Sequence, residues 1–293
     1  MVPSLTEKTA RMPYRRNCSG VERVDPLGGF FMARPKFKEE KARLVAAFDA
    51  SGKEDQRVLV VAGFISRPED WQSFHTEWTK RLEEDGLTYF HMVDFASSRR
   101  QFTRWNDDEP RRKKLLGDLM AIIQAHVYRK FGSMVINDQF YKLSQGNQKK
   151  FALNAYSLSG RTCVADVSKW RQQQGLSHVP TGYVFEEGDN GAALLSERLL
   201  KDGHSRPYFL SKKDRTEPDG TLINAYTPLQ AADMLAYELA KRTNEVLEGK
   251  SNRRLRWALR VFDRIPGEPG YYSPKNLLEL NEKLEELSVQ IKR

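Results

Sequence analysis

Asp49 closes the apolar run Leu44-Val45-Ala46-Ala47-Phe48, and Asp233 interrupts another, Leu229-Gln230-Ala231-Ala232-Asp233-Met234-Leu235-Ala236-Tyr237. Each carboxylate stands where the pattern calls for an apolar side chain, which is costly for an ion unless it is paired, hydrogen-bonded or metal-bound. No Lys or Arg follows Asp233 within four positions to pair with it along a helix. A third acidic stretch, Glu186-Glu187-Gly188-Asp189, ends the apolar run Tyr183-Val184-Phe185. Three acids gathered without a counter-ion would drive at least one pKa sharply upward. A hard divalent cation, Mg²⁺ or Mn²⁺, removes that repulsion through carboxylate oxygens. The chemistry within reach of such a set is the attack of an activated water on a phosphate ester.

Structural readings stand beside this one. Asp49 can close a turn in Asp-Ala-Ser-Gly by accepting backbone N–H bonds, Asp233 can pair with a distant Arg, and Asp189 before Asn190-Gly191 can serve a turn or a helix cap. Glu187 reads as a solvated partner of Glu186 on the opposite strand face. His91, three residues before Asp94, suits a ligand, a general base or a hydrogen-bonded core histidine. Lys212 and Lys213 end a strand-like run before the Asp233 segment, where an ammonium could hold a phosphate or stabilise a leaving oxygen. Trp105 among Arg99, Arg100 and Arg104 could stack on a base while the arginines meet phosphates.

The elements that must position these residues alternate. Leu44–Asp49 and Val58–Ile65, joined by Ser-Gly-Lys-Glu-Asp, predict a central antiparallel hairpin. Pro68 opens a helix with Trp71, Phe74, Trp78 and Leu82 on one face. A short run, Leu87–His91, and a polar surface loop over 97–112 follow, with a helix from Pro110. Further strands are expected at Gly132–Asp138, Gly182–Glu187 and Arg206–Lys212, and further helices over Lys149–Gln174 and Ala192–Leu200. Thr227 is placed to cap a helix beginning at Pro228, on which Asp233 shares a face with Leu229, Ala236, Tyr237 and Ala240 and points inward. Helices over Arg253–Asp263 and Pro274–Lys292 complete an α/β layout. Acids at neighbouring strand ends can then converge where ligands collect in open α/β sheets.

With 39% hydrophobic residues among 293, the chain can bury a real core. Its formal charge of +9, from 48 Lys+Arg against 39 Asp+Glu, would attract a polyanion such as DNA or RNA. Cys18 and Cys163 are too few and too far apart for a disulfide framework or a zinc knuckle. No signal-peptide core and no membrane-length apolar segment is present, so a cytoplasmic location is expected. The expected organisation is a basic N-terminal extension over 1–40, an α/β domain over 41–250 and a helical appendage over 251–293. Phosphate-loop, nucleophile-elbow and dinucleotide glycine motifs are absent, which disfavours NTPase, α/β-hydrolase and dinucleotide-binding readings.

The chain resembles the bacterial family known as domain of unknown function 3800, whose members are similar to ribonuclease H-like nucleases. The residues that carry the resemblance span about 44–240: Phe48-Asp49-Ala50-Ser51-Gly52 before the strand Val58–Ile65, His91 after Phe90, Phe185-Glu186-Glu187-Gly188-Asp189, and Leu229-Gln230-Ala231-Ala232-Asp233-Met234-Leu235-Ala236-Tyr237. The resemblance implies a ribonuclease H-like mixed sheet flanked by helices, with Asp49, Glu186 and Asp233 as metal ligands and Asp189 in reserve. The acid triad, joined to a basic surface, gives the leading expectation of phosphodiester hydrolysis on a nucleic acid, with Asp49 bridging two cations about 3.5–4 Å apart, assisted by Lys212 or His91. Ala50 stands where the family often has Glu. That departure favours a second expectation, a non-catalytic module binding nucleic acid or a protein partner; a third is a nucleotide phosphohydrolase using the same ions.

Overall fold

The computed structural model describes residues 44–53, 55–143 and 153–290. The expected extension over 1–40, Cys18 and the start of the helix expected from Lys149 lie outside them. In chain order the elements are β1 (Leu44–Ser51), β2 (Val58–Ser66), α1 (Pro68–Glu83), α2 (Met92–Ala96), a 3-10 turn (Arg100–Trp105), α3 (Glu109–His126), β3 (Arg129–Ile136), α4 (Asn137–Leu143), α5 (Ala155–Gln173), β4 (Thr181–Glu186), α6 (Ala192–Lys201), β5 (Tyr208–Leu210), β6 (Arg215–Thr216), β7 (Leu222–Ile223), α7 (Pro228–Leu247), α8 (Trp257–Phe262), β8 (Gly270–Tyr272) and α9 (Pro274–Gln290).

Six strands form one mixed sheet in the order β5-β4-β1-β2-β3-β8. The predicted hairpin sits at its centre: β1 pairs antiparallel with β2, and β2 with β3. On the other side β1 pairs parallel with β4, and β4 with β5. Strand alternation divides the core into two layers. Val45, Ala47, Val60, Ala62 and Val184 pack with α1, α3 and α7, whereas Leu44, Ala46, Phe48, Val61 and Phe185 pack with α5 and α6. Asp49, two residues after Ala47, therefore faces the α7 side, and Glu186, two after Val184, faces it as well.

Glycine is required where β1 meets β2. A Cβ on Gly63 would lie 1.8 Å from the Ala47 carbonyl oxygen, so only glycine lets β2 pair closely beside the segment that carries Asp49. Gly52, at φ +95°, turns the chain out of β1.

Several expectations change. Within the region expected as a helical appendage, the described residues include β8, which pairs parallel with β3 and extends the sheet. The region expected as a loop over 97–112 contains the 3-10 turn, anchored by Phe102 and Trp105 in the core. Thr227 precedes α7 but does not cap it: its backbone is already helical, and its Oγ1 lies 3.0 Å from His75 Nδ1 on α1. Among the described residues no helix is long and apolar enough to cross a membrane.

Candidate metal centre

The ends of β1 and β4, the segment after β5 and the first turns of α7 deliver Asp49, Glu186, Lys212 and Asp233 to one point. Lys212 Nζ lies 2.8 Å from Asp49 Oδ2, 2.8 Å from Glu186 Oε2 and 2.9 Å from Asp233 Oδ1. Parallel register brings the first two together, since Phe48 pairs with Phe185 immediately before them. Ala231 and Ala232, both fully buried, let α7 approach the sheet closely enough for Asp233 to join. The distant basic partner that Asp233 needed is thus Lys212.

Burial pushes the Asp49 carboxyl well up; Lys212 opposes this, and Glu186 and Asp233 add to it. For Lys212 burial works against the charge, but Asp49, Asp233 and Glu186 outweigh it and hold the ammonium protonated beyond the ordinary lysine range. One remaining oxygen of each aspartate is used by the backbone. Asp49 Oδ1 accepts from Ala50 N at 2.7 Å, and Asp233 Oδ2 accepts from Met92 N at 2.6 Å.

Gln230, fully buried one turn before Asp233, ties the parts together. Its Oε1 accepts from Trp78 Nε1 and from Phe90 N, both at 2.8 Å, and its Nε2 donates to the Lys212 carbonyl at 2.8 Å. Phe90 and Met92 are therefore pinned by two side chains of α7, with His91 held between them. Gln230→Leu keeps the bulk and leaves three buried backbone or indole groups unpaired. Its expected cost is about 3 kcal/mol or more, read as a lowered urea midpoint.

His91 stands beside the cluster, half-buried, with Nε2 3.6 Å from Asp233 Oδ1. Its Nδ1 lies 2.9 Å from Asp94 Oδ2. An ionised carboxylate only accepts, so Asp94 selects the tautomer with the proton on Nδ1 and leaves Nε2 facing the carboxylates. Tyr89 donates to the same Asp94 oxygen at 3.4 Å, and Arg100 Nε approaches its other oxygen at 3.6 Å.

Asp189 joins from the turn after β4. Burial pushes its carboxyl up to about 6; Asp49 adds to the shift and Lys212 opposes it. Its Oδ2 and the Tyr156 hydroxyl on α5 are buried oxygens with no hydrogen-bond partner among the described residues. The folded state binds a proton on Asp189 that the unfolded chain has released above its ordinary pKa of 3.8. This group therefore favours folding at low pH, and the contribution fades as pH rises through about 6. Asp189→Asn is expected to flatten the fall in stability over that window, measured as urea midpoints at successive pH values.

The basic residues separate into two groups. Arg99, Arg100 and Arg104 are exposed, and Lys213 holds its ammonium over the Tyr89 ring at 4.4 Å from the centroid. Trp105 corrects the expectation of base stacking: it is buried, packs edge-on to Phe102, and carries the Arg111 guanidinium 4.0 Å from its ring centroid. Glu187 pairs with Arg215 rather than joining the cluster. Ala50 packs on the α5 layer, so the position where the family often has Glu does not face Lys212.

Carboxylate oxygens are the donors a hard divalent ion prefers; three from three elements meet here, and the Asp189 Oδ2 is buried without a hydrogen-bond partner among the described residues. Among the described residues no group of three or more His, Cys, Asp or Glu side chains is arranged to hold a metal ion as it stands, and Lys212 Nζ takes the central position among these acids. The sequence signal for Gln230 was a buried amide inside an apolar run, whereas nothing local marked Tyr156. No family model matches the chain, and neither a curated protein nor a solved structure matches it.

Proposed function

We propose that this chain is a divalent-metal-dependent nuclease of the ribonuclease H-like class, akin to the domain of unknown function 3800 family, that hydrolyses phosphodiester bonds in DNA or RNA. The observation that carries the reading is the convergence of Asp49, Glu186 and Asp233 within 2.9 Å of one cationic centre. The mixed sheet flanked by helices agrees with that class. Asp49, Glu186 and Asp233 would hold Mg²⁺ or Mn²⁺, with Asp189 adjacent. When bound, the ion supplies a Lewis acid and lowers the pKa of water at the site.

The chain's own residues supply the rest. His91, fixed by Asp94, presents Nε2 to accept a proton or, once protonated, to return it to the leaving oxygen. Lys212 brings positive charge to the phosphate, and Lys213, Arg99, Arg100 and Arg104 meet the flanking backbone phosphates. A non-catalytic nucleic-acid-binding module is the second reading, favoured by the ammonium that already partners the acids. Mn²⁺-dependent cleavage of labelled DNA or RNA tests the proposal; salt-sensitive binding without cleavage would favour the module, and hydrolysis confined to free nucleotides would redirect the substrate.

A further inference from the structure

We propose that Lys212 is an exchangeable resident cation: its ammonium holds a metal ion's place between Asp49, Glu186 and Asp233, leaves when the ion enters, and then meets the substrate phosphate. This rests on the metal-dependent reading above. The ammonium donates to Asp49 Oδ2 at 2.8 Å and Asp233 Oδ1 at 2.9 Å and forms an ion pair with Glu186 Oε2 at 2.8 Å. The acids come from β1, β4 and α7, and Lys212 from a fourth segment, so the fold builds a cation site and fills it with its own side chain.

The anchoring of that segment permits exchange. Its main chain is held by Gln230 Nε2 at the Lys212 carbonyl, 2.8 Å, and by Tyr226 N at the Ser211 carbonyl, 2.8 Å. A lysine stem of four flexible carbons can therefore carry the ammonium away while the backbone stays in place. Glu186 and His91 mark the more open side, each with 22% of its side chain exposed against 7% for Lys212. Charge favours the exchange once substrate arrives, because a divalent ion offsets more of the three carboxylates than one ammonium does. The released ammonium then pairs with the anionic phosphate instead of competing for the acids.

The test uses the full chain, with Mn²⁺ binding measured by calorimetry for the parent and Lys212→Met. Removing the internal competitor is expected to tighten Mn²⁺ binding by about tenfold or more. A second measurement needs no variant: acylation of the parent by an amine-reactive ester, read by peptide mass spectrometry with exposed Lys113 as reference. Lys212 should be protected without Mn²⁺ and labelled several-fold more with it. Equal affinities for the two proteins, or unchanged Lys212 labelling at saturating Mn²⁺, would overturn the exchange and leave metal binding standing. Absence of Mn²⁺ binding by both proteins would overturn the exchange and the metal-dependent reading together.

Discussion

Lys212→Met is expected to lower the unfolding free energy by about 3–5 kcal/mol in metal-free buffer, because it leaves three acids facing one another without their cation. Asp49 is 1% exposed and Asp233 5%, so solvent screens little of this repulsion. The direction with pH follows from the carboxyls. Burial already raises the Asp49 pKa in the parent, and Lys212 is what opposes the rise. Without it the folded state holds its proton to higher pH, so the variant's stability declines more steeply than the parent's from about pH 4 toward neutrality. The lysine's own raised pKa adds no slope there, since its contribution is complete below the ordinary lysine range and is lost only above it. Urea unfolding at several pH values measures both effects. A loss below about 1 kcal/mol would mean that the quartet contributes little to the fold.

Asp49→Asn should show the reverse balance, with the fold retained and the chemistry lost. Its neutral amide avoids the desolvation that raises the native carboxyl, while its oxygen can still accept from Ala50 N. Stability is expected within about 1 kcal/mol of the parent, whereas Mn²⁺ binding should weaken by about a hundredfold and cleavage fall by on the order of a thousandfold. Asp233→Asn should lose cleavage to a similar degree but also stability, about 1–3 kcal/mol. Each aspartate serves a backbone amide with one oxygen and Lys212 with the other, and an amide can satisfy only one of them, but at Asp49 the relief of carboxylate desolvation offsets that loss. Calorimetric Mn²⁺ titration and thermal unfolding separate the two variants. A destabilised Asp49→Asn that retains Mn²⁺ affinity would assign Asp49 to the fold instead.

The acids were legible because each breaks a strong periodic pattern. Asp49 and Asp233 stand at positions an apolar residue would otherwise hold, and Glu186 ends an apolar run. The central hairpin was equally clear, with two apolar runs joined by a polar turn containing Gly52. What sequence could not show was long-range pairing. Lys212 read as a residue ending a strand, yet it is the ion partner of acids 163 and 21 positions away. Trp105 among arginines suggested an exposed stacking surface, but ring packing with Phe102 and the Arg111 contact draw it inward. The hydroxyl of Thr227 looked free to cap α7 until His75 took it. β6, β7 and β8 are two or three residues long, too short for any period to register.

Cleavage of end-labelled single- and double-stranded DNA and RNA by the parent and Asp49→Asn, with Mn²⁺ and with the metal chelated, tests the central claim most directly. At least one polymer is expected to be cut by the parent, dependent on Mn²⁺ and lost in Asp49→Asn. Cleavage that persists in the chelated parent or in Asp49→Asn, or no cleavage of any of the four polymers while Mn²⁺ is bound, would contradict it.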